Sequence, residues 1–435
     1  MDLTSVSQAF VNMLASAYSV FIHGGWVVAL FTLVAITYRL YMTKIQGDFI
    51  GSTEQVFLHV KVSRENLVSL RAVDSLFSQL HAVHTSFTWA EKYLEGRVNL
   101  WLSFEIVSIG GKISYIIRTP KKYRHLLESS IYAQFPNAEI SEVEDYMKNL
   151  SHWTPESDWD LWGTEYIQTK DYVYPIRTYR DFEHPAAEEK ILDPLAGLLE
   201  ALGKMEPYEL YAVQVVIRPI ADPEWQPHAK EVVADLRGEP IHKETLGQRI
   251  LKPLDVLGNK TLFEAIAEPK EHHDEDSPNV APIMRLTEGE RKIIADIEMK
   301  ASKVGYDVKI RNLYIAPKDK FDSNKKTSII GAFRSMAGVS TNNLKPDTSH
   351  TWTNYNYKVF KKLEKPFTDY MINLKKHHML EGFSQRSMWI GAWPMILNSE
   401  ELATIYHFPL ATTSVPPVES ISVKKGAPPA DLPVL

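Results

Sequence analysis

The sequence predicts an α+β protein: a single N-terminal transmembrane helix followed by two ferredoxin-like (split βαβ) α/β sandwich units, the second with a polar insertion. Three observations predict it. Residues 3 to 38 contain no Asp, Glu, Lys or Arg. Apolar residues then follow strand and helix periods in the order β-α-β-β-α-β. A second strand-bearing stretch after residue 149 is broken by a charged, proline-punctuated run. The expected division is 1–48 for an outer segment plus anchor, 50–148 for the first domain, 149–410 for the second with a flexible insertion over 222–282, and 411–435 for a proline-rich tail.

The anchor is densest from Val20 to Tyr38, where Val20, Phe21, Ile22, Val27, Val28, Leu30, Phe31, Leu33, Val34 and Ile36 fall together. At about −0.3 to −0.6 kcal/mol each they favour insertion by roughly 3 to 6 kcal/mol. A helix of that length approaches the hydrocarbon thickness of about 30 Å, so one crossing is expected. Leu3 to Tyr18 is then a short outer or interfacial segment. Trp26 at one end and Tyr38 and Tyr41 at the other sit where amphipathic rings prefer the interface. The residues expected to carry the anchor are Val20, Trp26, Leu30, Phe31, Ile36, Tyr38 and Arg39. Arg39 and Lys44 follow the span, which by the positive-inside rule places residues 42 to 435 in the cytoplasm, on an inner membrane crossed once. A cleaved signal peptide would need a basic start and a shorter apolar run, and a buried core helix is the other alternative.

After a linker from Gln46 to Thr53, Val56 to Val62 alternates as a strand. Leu67, Leu70, Val73, Phe77, Leu80 and His84 recur at helical spacing over 65–84. Strands over Leu100 to Ile109 and Ile113 to Arg118 flank Gly110 and Gly111, the dipeptide a tight hairpin demands. Pro120 opens a helix to Phe135, and Ala138 to Val143 supplies a fourth strand. Beyond Trp153, Trp159 and Trp162, strands are expected over Glu165 to Tyr179, a helix from Asp193 to Lys204 and an apolar strand from Glu209 to Pro219. Structure is expected to resume at Thr287, which with Glu290 forms a capping box. Gly305 should end that helix before a strand from Tyr306 to Pro317. A helix around Thr327 to Met336 follows, then a lysine-rich helix, and Asn398 with Glu401 caps a short helix through Tyr406.

Composition narrows the chemistry. In 435 residues, 44% hydrophobic and 23% charged content are near globular averages, and a net charge of −6 leaves nucleic acid only a local patch to bind. Zero cysteines remove disulfides, thiolate metal sites and cysteine nucleophiles, and fit a reducing compartment. Gly258-Asn-Lys-Thr261 lacks the glycine spacing of a P-loop. His272, His273, Asp274, Glu275 and Asp276 are competent metal donors but adjacent, within a polar run that reads as a solvated loop. No Gly-x-Ser-x-Gly or His-Glu-x-x-His motif occurs. No catalytic, cofactor-binding or metal residue is therefore expected, no cofactor, and no enzymatic activity. Lys358, Lys361, Lys362, Lys365, Lys375 and Lys376 are candidate nucleic-acid or lipid contacts, interleaved with Tyr355, Tyr357, Phe360, Phe367 and Tyr370.

The stretch from Ser103 to Pro120 (SFEIVSIGGKISYIIRTP), with Leu127 to Ile140, resembles the membrane-anchored, non-ATPase N-terminal region of bacterial proteins related to type IV secretion coupling ATPases, the conjugative DNA-transfer family. Leu286 to Arg291, Val308 to Pro317 and Asn398 to Pro409 are similar to segments preceding the ATPase module in such proteins. The resemblance covers roughly residues 20 to 433. It implies a platform that positions a ring-forming motor, a homo-oligomer, and nucleic acid reached only indirectly. The sequence stops about where a motor would begin, so a P-loop ATPase is expected as a separate polypeptide. The resemblance carries over no catalytic residue.

Overall fold

The computed structural model describes residues 21–62, 69–150, 152–182, 193–238, 286–338, 341–353 and 361–410, with residues 12, 13, 15, 16 and 19 near the start of the chain. An apolar helix, α1 (Trp26–Gly51), comes first, entered through a tight turn over Phe21–Gly25 in which Gly24 has φ +113°. β1 (Gln55–Lys61) follows at once, and its alternation is realised: Val56, Leu58 and Val60 are buried. α2 (Leu70–Leu80) buries Leu70, Val73, Leu76, Phe77 and Leu80. A short helix, α3 (Trp89–Tyr93), leads into β2 (Leu102–Ile109) and β3 (Lys112–Pro120). Gly110 and Gly111 stand between them at φ +59° and +80°, as a two-residue hairpin requires. α4 (Arg124–Gln134) and β4 (Glu139–Val143) complete the first half.

The second half runs β5 (Trp159–Gln168), α5 (Ala196–Gly203), β6 (Leu210–Pro219), α6 (Asp222–Leu236), α7 (Glu288–Ala301), β7 (Gly305–Pro317), α8 (Lys325–Arg334), β8 (Leu344–Pro346), α9 (Lys361–Ser384), β9 (Met395–Asn398) and α10 (Ser399–Ile405). All nine strands join one antiparallel sheet in the order β4-β1-β3-β2-β6-β7-β5-β8, with β9 beside β7. The seam is β2 against β6, from Leu102 opposite Ile217 to Ile109 opposite Leu210. The sheet is thus continuous across the boundary expected at residue 149. Side chains from α2, α4, α5, α8 and α10 make the main core with one face. Met147, Trp153 and, from α9, Met379, Leu380 and Phe383 cover the central strands from the other. Burial on both faces explains why β2 and β6 read as continuous apolar runs.

Several expectations are corrected. The insertion does not begin at residue 222: Asp222–Leu236 is helical and buries Trp225, Ala229 and Val233. Pro223 falls in the first turn, which has no amide partners to lose, while Pro227 lies inside the helix and forgoes the bond an amide there would make to the Pro223 carbonyl. The rest of the expected insertion, 239–285, lies outside the described residues, as do Leu3 to Val11 and the tail 411–435. Gly305 does not cap α7, which ends at Ala301; it opens β7, where a Cβ would lie 2.5 Å from the Trp225 indole nitrogen. No strand continues from Gln168 to Tyr179. There the Asn342 carboxamide accepts from Thr169 N and Lys170 N and donates to the carbonyls of Lys170, Asp171 and Tyr174, taking the place of a neighbouring strand. The helix expected over 65–84 is described only from Leu70 to Leu80, followed by one turn of 3₁₀ helix over His81–Val83.

Candidate membrane anchor and its footing

Two patterns follow one another along α1. From Val27 to Tyr41 every side chain is exposed, including Leu30, Phe31, Ile36, Tyr38 and Arg39, and Trp26 before them is exposed too; Phe31 is 72% exposed. Val20 lies outside the described residues. From Met42 onward a stripe of partly buried positions appears at 42, 45, 46, 49 and 50, the spacing of one helix face. The helix therefore changes character within one rod: apolar on all sides, then amphipathic against the body. Ile22–Gly51 is long and apolar enough to cross a membrane, and its most apolar 18 residues include none that is buried. The 26 continuous residues of α1 extend about 39 Å at 1.5 Å per residue, more than the hydrocarbon thickness of about 30 Å.

The amphipathic end is gripped from two sides. The Tyr41 hydroxyl donates to the Tyr93 carbonyl at 3.2 Å, and Gly96, at φ +67°, lies directly on the backbone of Ile45. Ile50 packs against Trp101, Val216 and Met388. The Trp101 indole N–H then donates to the Arg386 carbonyl at 2.7 Å. Arg386 is buried in the left-handed region, φ +52°. Its Nε and Nη2 donate to Glu105 at 2.9 and 3.2 Å, and Nη1 and Nη2 to Asp145 at 2.6 and 2.8 Å. Burial alone would raise the Glu105 carboxyl, but the Arg386 guanidinium and hydrogen bonds from Ser103 and Tyr146 hold it below its ordinary value. A chain of contacts thus runs from the foot of α1 to a fully paired charge at the middle of the sheet.

A second charged group fills a fork. β7 pairs with β5 over Arg311–Pro317 but with β9 over Gly305–Val308. Where the partners part, Glu165 accepts from Arg311 Nε at 2.6 Å and from Ala392 N, while Arg311 and Lys309 donate to the Ile390 carbonyl. Burial and the neighbouring Arg311 push the Lys309 amine down to about 8, against the pull of Glu165. A third buried pair, Lys300 with Glu401 at 3.0 Å, ties α7 to α10.

Among the expected lysine contacts, Lys358 lies outside the described residues, and Lys361, Lys362 and Lys365 fall on the first turns of α9. Lys375 and Lys376 are engaged within the protein. Lys375 donates to the Ser349 carbonyl at 2.8 Å, and Lys376 pairs with Asp160 and lies 5.0 Å from the centre of the Trp153 ring. Sequence reasoning passed over Glu105, Arg386 and the α3 segment. The signal for Glu105 was available, a carboxylate in the middle of the apolar run Leu-Ser-Phe-Glu-Ile-Val. For Trp89 and Gly96 nothing local distinguishes a foot from a surface loop.

A family described as a domain of unknown function, DUF8128, matches residues 43–419. No curated protein matches the chain.

Proposed function

The chain belongs to the DUF8128 family, and on that premise we propose that it is a membrane-anchored platform of a type IV secretion-like or DNA-transfer machine, its body in the cytoplasm, recruiting a P-loop ATPase in trans. One observation carries this reading: an uncovered apolar helix passes without a break into a foot built into the body. The buried charges support a structural role. Glu105 pairs with Arg386, Lys300 with Glu401 and Glu165 with Arg311, each pair buried within the body. We further read β4-β1-β3-β2 and β8-β5-β7-β6 as two split βαβ units fused edge to edge through β2 and β6; the mirrored strand orders support it. Such a fusion leaves β4 and β8 as the two ends of the sheet, where an assembly partner can add.

The test is biochemical. Alkaline carbonate washing should leave the chain in the membrane, a reporter fused after Leu435 should be active inside the cell, and mild-detergent extraction should bring down a P-loop ATPase. Release into the supernatant overturns the anchor, an external reporter overturns the cytoplasmic placement of the body, and purification alone counts against the platform. Membrane-tethered nucleic-acid binding is the alternative. With Lys375 and Lys376 held internally, it rests on Lys361, Lys362 and Lys365 among the described residues.

A further inference from the structure

We propose that the segment around α3, residues 88–97, is a second membrane contact, a foot that seats Trp89 and Leu94 among the lipid headgroups beside α1. The proposal rests on the anchor reading and adds a surface to it. Its first support is depth. A span that ends at Tyr38, ahead of Arg39, leaves Tyr41 and Ile45 about 5 to 10 Å further along the helix, in the headgroup layer beyond the hydrocarbon. The segment touches α1 at that level: Tyr93 accepts from the Tyr41 hydroxyl, and Gly96 rests on the Ile45 backbone. An interface at the level of residues 41–45 of α1 is therefore shared by this segment.

Its second support is what the segment presents. Trp89 is 68% and Leu94 59% exposed, and Leu40 and Tyr41 on the helix are exposed as well. This exposure is built rather than a fraying end. Thr88 and Glu91 form a reciprocal capping box, Arg97 pairs with Glu91 at 2.8 Å, and the Trp89 ring lies 5.6 Å from that of Tyr93. Indole, with an apolar body and a polar N–H, is the side chain that prefers the boundary between hydrocarbon and water. Lys92 is exposed on the same turn, with a stem long enough to carry its amine toward lipid phosphate. A contact too weak to bind a membrane unaided becomes effective here, since α1 holds the segment at high local concentration. Anchor and foot together would set the orientation of the body, which a single helix leaves free to swivel.

The absence of native cysteine allows single-site labelling. Leu94→Cys, Trp89→Cys, Phe31→Cys and Glu139→Cys variants of the whole chain would each carry an environment-sensitive fluorophore, in vesicles of phosphatidylcholine and phosphatidylglycerol with or without shallow spin-labelled lipid. Glu139 lies opposite Lys61, at the end of β1 remote from α1. The expected result is at least two-fold quenching at 89, 94 and 31, and none at 139. Strong quenching at 31 with none at 89 and 94 overturns the foot and leaves the anchor standing. No quenching at 31 overturns both. Blue-shifted but unquenched emission at 89 and 94 means protein covers them, a second copy or a partner, and overturns the lipid assignment. Both labelled positions are exposed, and each reports independently should the other variant misfold.

Discussion

At Gly96 a hydrogen in place of a side chain decides whether two backbones can meet. A Cβ there would lie 2.5 Å from the Ile45 carbonyl, at a φ of +67° that L-residues rarely adopt. Gly96→Ala should therefore cost about 1–3 kcal/mol, seen as a lowered Tm in detergent, with a mobile α3 segment in hydrogen exchange. Arg386 is the opposite case, a side chain whose donors are matched to Glu105 and Asp145. Arg386→Met leaves Glu105 buried without its partner and should destabilise by about 3–5 kcal/mol; pairing it with Glu105→Met should recover most of the loss in chemical unfolding. A histidine supplies the pH dependence. His228 on α6 bonds Asp171 at 3.0 Å, and that bond raises its pKa. A raised folded-state value means the stabilisation is full below about 6.5, the unfolded value, and lost as pH rises through the folded one. The Tm difference between the natural chain and His228→Gln should be present at pH 5.5 and gone at pH 8.5; a difference independent of pH would refute the assignment.

At the scale of elements, α9 shows how a basic helix can be structural. Its inner face contributes Met379, Leu380 and Phe383 to the core, while Lys376 closes over Trp153 to reach Asp160. Lys376→Ala should lower stability by about 1 kcal/mol and leave any salt-dependent DNA binding unchanged. The expected patch was legible as composition. The partners of Lys376, some two hundred residues distant in sequence, were not. α6 was misread for the reverse reason: its prolines and charges suggest a loop, yet Pro223 falls in the first turn, and the burial of Ala229, Val233 and Trp225, the last over Gly305, anchors the helix.

For the molecule as a whole, the contrast between α1 and the sheet is the organising feature. A chain starting at Met42 should remain folded and soluble, with the Tm of the body little changed, because the stripe from Met42 to Ile50 keeps its contacts while the exposed apolar surface is removed. Cosedimentation with vesicles would then measure what the α3 segment contributes alone. Aggregation of that chain, or loss of its sheet signal in circular dichroism, would show that the upper helix supports the body.

The sequence by itself determined what lies within a few residues of its own cause. The apolar rod is visible because insertion depends on local hydrophobicity. The Gly110-Gly111 hairpin and the capping boxes of Thr287 with Glu290 and Asn398 with Glu401 are visible because their bonds close within three residues. Only the tertiary structure decided the β2–β6 seam, the pairing of Arg386 with Glu105 and the seating of Gly96 on α1. Each joins residues separated by 50 to almost 300 positions, and no local pattern encodes such a partner. Register and buried charge are settled together, when burying one surface removes the water that would otherwise have satisfied the other.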